Sequence, residues 1–169
     1  MKLSSKSRVN LSEIANHKSE LPASLARRVP VVYQAAFLAA KEILDKNPIK
    51  PEAIICVSAL GCLNETISFV DKLDETGFGS PKDFVFSVHN SLGGMLAKEF
   101  GITGANITLT DTNVEKAIEI AKILDENEIL IVEFDDKNDF AKQVLQKCEM
   151  RNVKCEMNEP FAMAFLYSK

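Results

Sequence analysis

FVFSVHNSLGGMLAKEFGITGANITLT, Phe84 to Thr110, is the stretch on which the reading of this chain turns. Phe84 to Val88 is apolar apart from Ser87 and reads as an extended piece. Asn90-Ser91 stands where a helix would be capped, because a short side-chain oxygen can accept from an amide left unpaired in the first turn. The helix would run through Phe100 and stop at Gly101, since glycine takes the left-handed backbone of a C-terminal cap without a Cβ penalty. Ile107-Thr108-Leu109-Thr110 then alternates like a strand with one polar face. The stretch predicts strand, helix and strand.

The same alternation continues outward in both directions. Before it, Ala53 to Ser58 (AIICVS) is a short apolar run between Pro51 and Gly61, the pattern of a parallel strand buried on both faces. Leu63, Ile67, Val70 and Leu73 recur at helical spacing up to the glycine-rich ETGFGSP. Further upstream, Val31 to Leu44 (VVYQAAFLAAKEIL) is apolar on nearly every side. That predicts a helix buried between layers, with Pro30 at its first position and its end near Asn47-Pro48. After the stretch, Asp111 or Thr112 can cap a helix whose apolar face is Val114, Ala117, Ile118, Ala121 and Leu124. Ile129 to Phe134 reads as another buried strand, Asp139 to Glu149 as a helix, and Ala162 to Tyr167 as a terminal strand. Strands alternating with helices imply an α/β layered sheet, mostly parallel, with right-handed crossovers.

At 169 residues, with 46% hydrophobic and 26% charged residues, the chain is sized for one domain with a substantial core. We take residues 1–22 as a polar N-terminal arm, with a short helix at Leu11 to Asn16, and residues 23–169 as the domain. No apolar run approaches the roughly 18 residues of a membrane span, and the N-terminus has no apolar signal core, so a cytoplasmic protein is expected. Net charge is −4, unevenly placed: residues 1–50 hold nine Lys/Arg against four Asp/Glu, the remainder eleven against twenty. An acidic body argues against nucleic acid as partner, since phosphate binding needs clustered cations. The four cysteines, Cys56, Cys62, Cys148 and Cys155, form no C-x-x-C pair or Cys/His cluster, so neither a disulfide framework nor a metal site is expected, and no motif points to a cofactor. Cys56 reads as a small core residue.

These residues together resemble the N-terminal half of the β-ketoacyl synthases of the thiolase-like superfamily. More closely, they resemble its short relatives that lack the nucleophile. The likeness rests on paired arginines before a helix (Arg27-Arg28, then Val31 to Leu44), on Ile54 to Gly61 as a strand entering a small-residue turn, and on Ser80-Pro81, Phe84, Ser87-Val88-His89-Asn90 and Gly94. It continues through Phe100-Gly101-Ile102 and Gly104 to Thr108, covering residues 24 to 135, with the terminal AMAFLY as the family's last strand. The resemblance implies half of a thiolase-like fold, with a mostly parallel sheet of four to five strands and an antiparallel C-terminal strand.

In full synthases the strand after this helix leads into a cysteine elbow, where a thiolate at a helix N-terminus attacks an acyl thioester. Here the corresponding stretch is Thr110-Asp111-Thr112-Asn113-Val114, without cysteine. The resemblance therefore implies a non-catalytic protein supporting fatty-acid or polyketide-type biosynthesis. A second departure concerns the family's opening strand, since MKLSSKSRVN is too polar for a strand buried on both faces. We expect either a sheet short by one strand or a place filled from elsewhere, for instance by a partner.

The resemblance also implies an interface. The strand Asn106, Ile107, Thr108, Leu109, Thr110 would pair antiparallel with its two-fold mate, and an open strand edge is in any case a template for another chain. We expect a homodimer, or a heterodimer with a β-ketoacyl synthase, through this strand and the Asn90 to Phe100 helix. An acyl carrier protein is a further candidate partner.

Two residues carry an alternative in which the chain is a small acyl-thioester-handling enzyme. Cys62 lies at a turn feeding a helix, whose dipole would lower a thiol pKa. His89 lies at a strand-to-helix junction and could act as a base. Neither has a partner nearby in sequence, and we read His89 as a structural hydrogen-bonding group and Asn90 as a helix cap. Gly93-Gly94 lacks phosphate-loop spacing and reads as a close helix contact. Tyr33 and Phe37 read as core, and Arg27 and Arg28 as solvated or facing an acidic partner. A stand-alone small-molecule binding module is the remaining alternative.

Overall fold

The computed structural model describes residues 2–111, 113–136 and 160–169. Its strands are β1 (Lys2–Asn10), β2 (Ala53–Ser58), β3 (Asn106–Thr110), β4 (Glu128–Asp135) and β5 (Phe161–Ser168). They form one sheet in the order β1-β5-β4-β2-β3. β2 pairs in parallel with both β3 and β4, whereas β5 runs antiparallel to β4 and to β1. The helices are α1 (Ala23–Arg28), α2 (Val31–Lys46), α3 (Leu63–Thr76), α4 (Pro81–Ser87), α5 (Ser91–Phe100) and α6 (Val114–Ile123), with a 3-10 segment at Leu11–Glu20. This is the expected α/β architecture, a mostly parallel sheet with an antiparallel C-terminal strand.

The sheet separates two apolar layers, because successive side chains of a strand point to opposite faces. Ile54, Cys56, Leu130, Val132, Ala162, Ala164 and Leu166 face α2 and α5. Ala53, Ile55, Val57, Ile129, Ile131 and Phe165 face α6 through Ala117 and Ala121. β2 is buried along its whole length, which is why its sequence is a continuous apolar run. α2 is buried from Val32 to Ala40, as its all-round apolar sequence requires. Pro30 stands one residue before α2, its carbonyl accepting from the amides of Tyr33 and Gln34. Asn47 closes the helix by donating to Ile43 O from both its backbone and its side chain. Among the described residues no helix is long and apolar enough to cross a membrane.

Several local expectations are overturned. The stretch read as a polar arm supplies β1, filling the place of the apparently missing strand from within the chain. A criterion of burial on both faces does not apply to it, because β1 is an edge strand. Ser7 and Val9 are buried, while Lys6 and Arg8 point outward over the rings of Phe165 and Phe161. The short helix expected at Leu11 to Asn16 is instead a 3-10 segment reaching Glu20.

Phe84 to Val88 is not extended: Phe84 to Ser87 form the greater part of α4. Ser80 caps that helix by accepting from the Asp83 amide, and Pro81 occupies its first turn, a start signal that outweighs a five-residue apolar pattern. Asn90 occupies the N-cap position of α5, but its side chain makes no capping bond, because its backbone (φ −95°, ψ 9°) is not extended. α6 is capped by Asn113, one residue beyond the expected positions, with Asp111 in turn accepting from the Asn113 amide. The helix expected at Asp139 to Glu149, and Cys148 and Cys155, lie outside the described residues.

Candidate functional site

The β2–α3 turn, residues 59–62, is the junction at which the candidate residues meet. Asp135, at the end of β4, is buried. Its Oδ1 accepts from Ser58 Oγ (2.8 Å) and from the amides of Ala59 (3.1 Å) and Leu60 (3.3 Å). Ser58 Oγ in turn accepts from the Gly61 amide at 2.8 Å. A buried carboxylate requires such partners, and here they hold the turn in a single shape. Gly61 has φ +60°, and a Cβ there would stand 2.6 Å from His89 Nδ1, so the imidazole covers this turn closely.

The other ring nitrogen of His89, Nε2, is 3.0 Å from Thr110 Oγ1. His89 thus spans from the β2–α3 turn to the end of β3. Cys62 is only 4% exposed and its sulfur faces elsewhere: Tyr33 Oη lies at 3.3 Å, and the thiol donates to Val88 O at 3.5 Å. The contact between Cys62 and His89 is to the histidine's carbonyl oxygen, at 3.9 Å. The two residues are therefore brought into neighbouring turns without forming a thiol–imidazole pair. Burial, with the nearby Glu65 carboxylate, pushes the Cys62 thiol up, although the Tyr33 and Ser91 hydroxyls oppose it. A thiol held that way is a poor nucleophile.

Tyr33 is fully buried on α2, and its hydroxyl also meets Ser91 Oγ (2.6 Å) and Phe86 O (3.3 Å). It joins α2, α4, α5 and the start of α3, and burial drives its phenol well above the ordinary range. Sequence reasoning placed Tyr33 in the core without this network and missed Asp135 altogether. The one available signal was an aspartate ending the apolar run ILIVEFD. Phe37 is core as expected, stacked on Phe100, and Arg27 is exposed.

The two adjacent glycines of α5 differ. A Cβ on Gly93 would lie 2.5 Å from Asn106 Oδ1 and 3.3 Å from Cys56 Sγ, so this residue permits the close contact of α5 with β2 and β3. Gly94 is exposed, and a Cβ there would meet nothing within 4 Å. β3 is terminal in the sheet, and Ala105 O and Asp111 N bond to β2. Backbone groups alternate along a strand, so Asn106, Thr108 and Thr110 direct their amides and carbonyls to the outer edge. Thr108 Oγ1 is buried with no hydrogen-bond partner among the described residues. An open cleft of about 240 Å³ lies between the start of α2 and the α3–α4 pair, lined by Pro30, Glu65, Ser68, Lys82, Asp83 and Phe86.

Comparison with curated proteins returned no match. Among solved structures, the chain is similar to a complex of the ketosynthase ApeO with its chain length factor ApeC from Xenorhabdus doucetiae. That match has 17% identity and a TM-score of 0.73 over 99% of this chain and 78% of the matched one. It is also similar to the ishigamide ketosynthase/chain length factor, with 13% identity and a TM-score of 0.69 over 97% of this chain and 60% of the other. A third is AntDE:AntF, a type II polyketide synthase acyl-carrier protein in complex with its ketosynthase bound to the hexaketide. There, identity is 10% and the TM-score 0.61, over 81% of this chain and 43% of that one. At these identities the matches establish the fold. The model of the β-ketoacyl synthase N-terminal domain matches residues 4–169, nearly the full length, and the chain belongs to that family.

Proposed function

We propose that this chain is a non-catalytic partner subunit of a ketosynthase, serving fatty-acid or polyketide-type biosynthesis by association. The observation that carries this reading is the edge of β3: among the described residues no further strand pairs with it, and the backbone groups of Asn106, Thr108 and Thr110 point outward in line with the sheet. Two further features support it. The segment after β3 offers no cysteine, and Cys62, at the start of α3, is buried, raised in pKa and not paired with the His89 ring. The matched structures include ketosynthases solved together with chain length factors, which supports an assembly of the same kind.

The test is co-expression with a ketosynthase from the same organism, followed by sedimentation. A defined complex is expected, weakened by Thr108→Pro, which removes an outward amide while leaving the β2–β3 ladder intact. The chain alone is expected to show no condensation of acyl thioesters. A monomer that ignores every ketosynthase offered, or condensation by the isolated chain, would overturn the reading.

A further inference from the structure

The α3–α4 pair is built from helices without a single buried residue. Its two helices touch through the rings of Phe69 and Phe84, 5.6 Å apart, and through the Lys72–Asp83 ion pair. Six large apolar side chains stay exposed among its charged ones: Phe78 is 82% exposed, Phe84 56%, Val85 55%, Val70 52%, Leu73 43% and Val88 41%. Six large apolar side chains on one hairpin are more than scattered surface hydrophobics, and such clusters mark interaction sites. Val88 directly precedes His89, whose ring is bonded to Thr110 at the end of β3, so the hairpin adjoins the open edge.

The charge around this surface favours an occupant of opposite sign. Residues 63–88 hold five carboxylates (Glu65, Asp71, Asp74, Glu75 and Asp83) against two lysines, Lys72 and Lys82, and Asp71, Asp74 and Glu75 are exposed. A two-fold pairing of identical chains would bring one acidic hairpin toward another wherever the hairpins meet. A surface of opposite sign would be attracted instead.

We infer that the α3–α4 hairpin is the docking surface for a different chain, a ketosynthase-type subunit with an apolar centre and a basic rim, and that this subunit supplies the burial the hairpin lacks. The inference rests on the partner-subunit reading and extends it from the β3 edge to a second surface. It also selects the heteromeric assembly over the homodimer. Local stability follows buried apolar contact, so the hairpin of the free chain opens readily and is protected on assembly.

The test uses the full chain and a co-expressed ketosynthase from the same organism. Hydrogen exchange over residues 63–88 is expected to be fast in the free chain and to slow at least about tenfold in the complex. The double variant Phe78→Asp/Val85→Asp, at two exposed positions outside the Phe69–Phe84 ring contact, is expected to keep the parent's circular dichroism and to weaken the complex by about a hundredfold. Association is expected to weaken as salt is raised. A complex that is sensitive to Thr108→Pro but unaffected by the double variant, with hairpin exchange unchanged, would overturn this inference and leave the partner reading standing. Absence of any complex removes both. A homodimer dissolved by the double variant would overturn the heteromeric assignment.

Discussion

Gly61 and His89 show how single residues set the geometry of the β2–α3 turn. The positive φ of Gly61 and the ring 2.6 Å from its absent Cβ both oppose a side chain. Gly61→Ala is expected to cost roughly 1–3 kcal/mol in chemical denaturation, with part of the loss recovered when His89→Ala is added. Cys62 is expected to react with iodoacetamide at least about tenfold more slowly in the folded chain than in denaturant, followed by mass spectrometry. Rapid stoichiometric labelling by an acyl probe, abolished in His89→Ala, would restore the enzymatic alternative. Glu65 has its pKa raised by burial and by the Asp136 carboxylate. A folded-state pKa above the unfolded value means stability is fullest below the ordinary glutamate range, about pH 4, and falls as pH rises through the raised value. Glu65→Gln is therefore expected to raise the melting temperature at neutral pH and to leave it unchanged near pH 3.

At the scale of elements, α5 carries a contrast that one helix can test. Gly93→Ala pushes a methyl into Asn106 and Cys56 and is expected to cost about 1–3 kcal/mol. Gly94→Ala meets open space inside the same helix and is expected to stabilise the isolated chain by about 0.5–1 kcal/mol, both read by thermal melts. α4 depends on its first turn. Ser80 is its only side-chain cap, and Ser80→Ala is expected to cost about 1 kcal/mol, or less if the hairpin is already frayed. The same serine explains why an apolar pentapeptide that read as a strand became helical. A cap followed by proline commits the backbone before the side-chain pattern can act.

For the whole molecule, the sheet has two edges of different character. β1 closes one side on β5 with a polar, charged outer face, a design that discourages further pairing. Among the described residues, β3 leaves the other side open. Removal of residues 1–10 is expected to expose the edge of β5, and with it to abolish cooperative melting and favour aggregation, visible by sedimentation. That loss would contrast with Thr108→Pro on the opposite edge, which is expected to spare the monomer's melt.

Periodicity and punctuation determined most of the architecture. β2 and β3 have the bounds the sequence predicts, α2 and α5 differ from expectation by only one or two residues, and Gly77 and Gly101 end their helices in left-handed backbone. Those features are local, written in apolar spacing and in glycine. Tertiary structure alone decided the rest, because it depends on which distant segments meet. β1 is a strand only because β5 offers it an edge, and Asp135 holds a turn more than seventy residues away in sequence. Cys62 and His89 sit in adjacent turns yet point to different partners, an outcome set by the packing of Tyr33 and Gly61 around them. Side-chain direction arises from that packing, and no spacing along the chain records it.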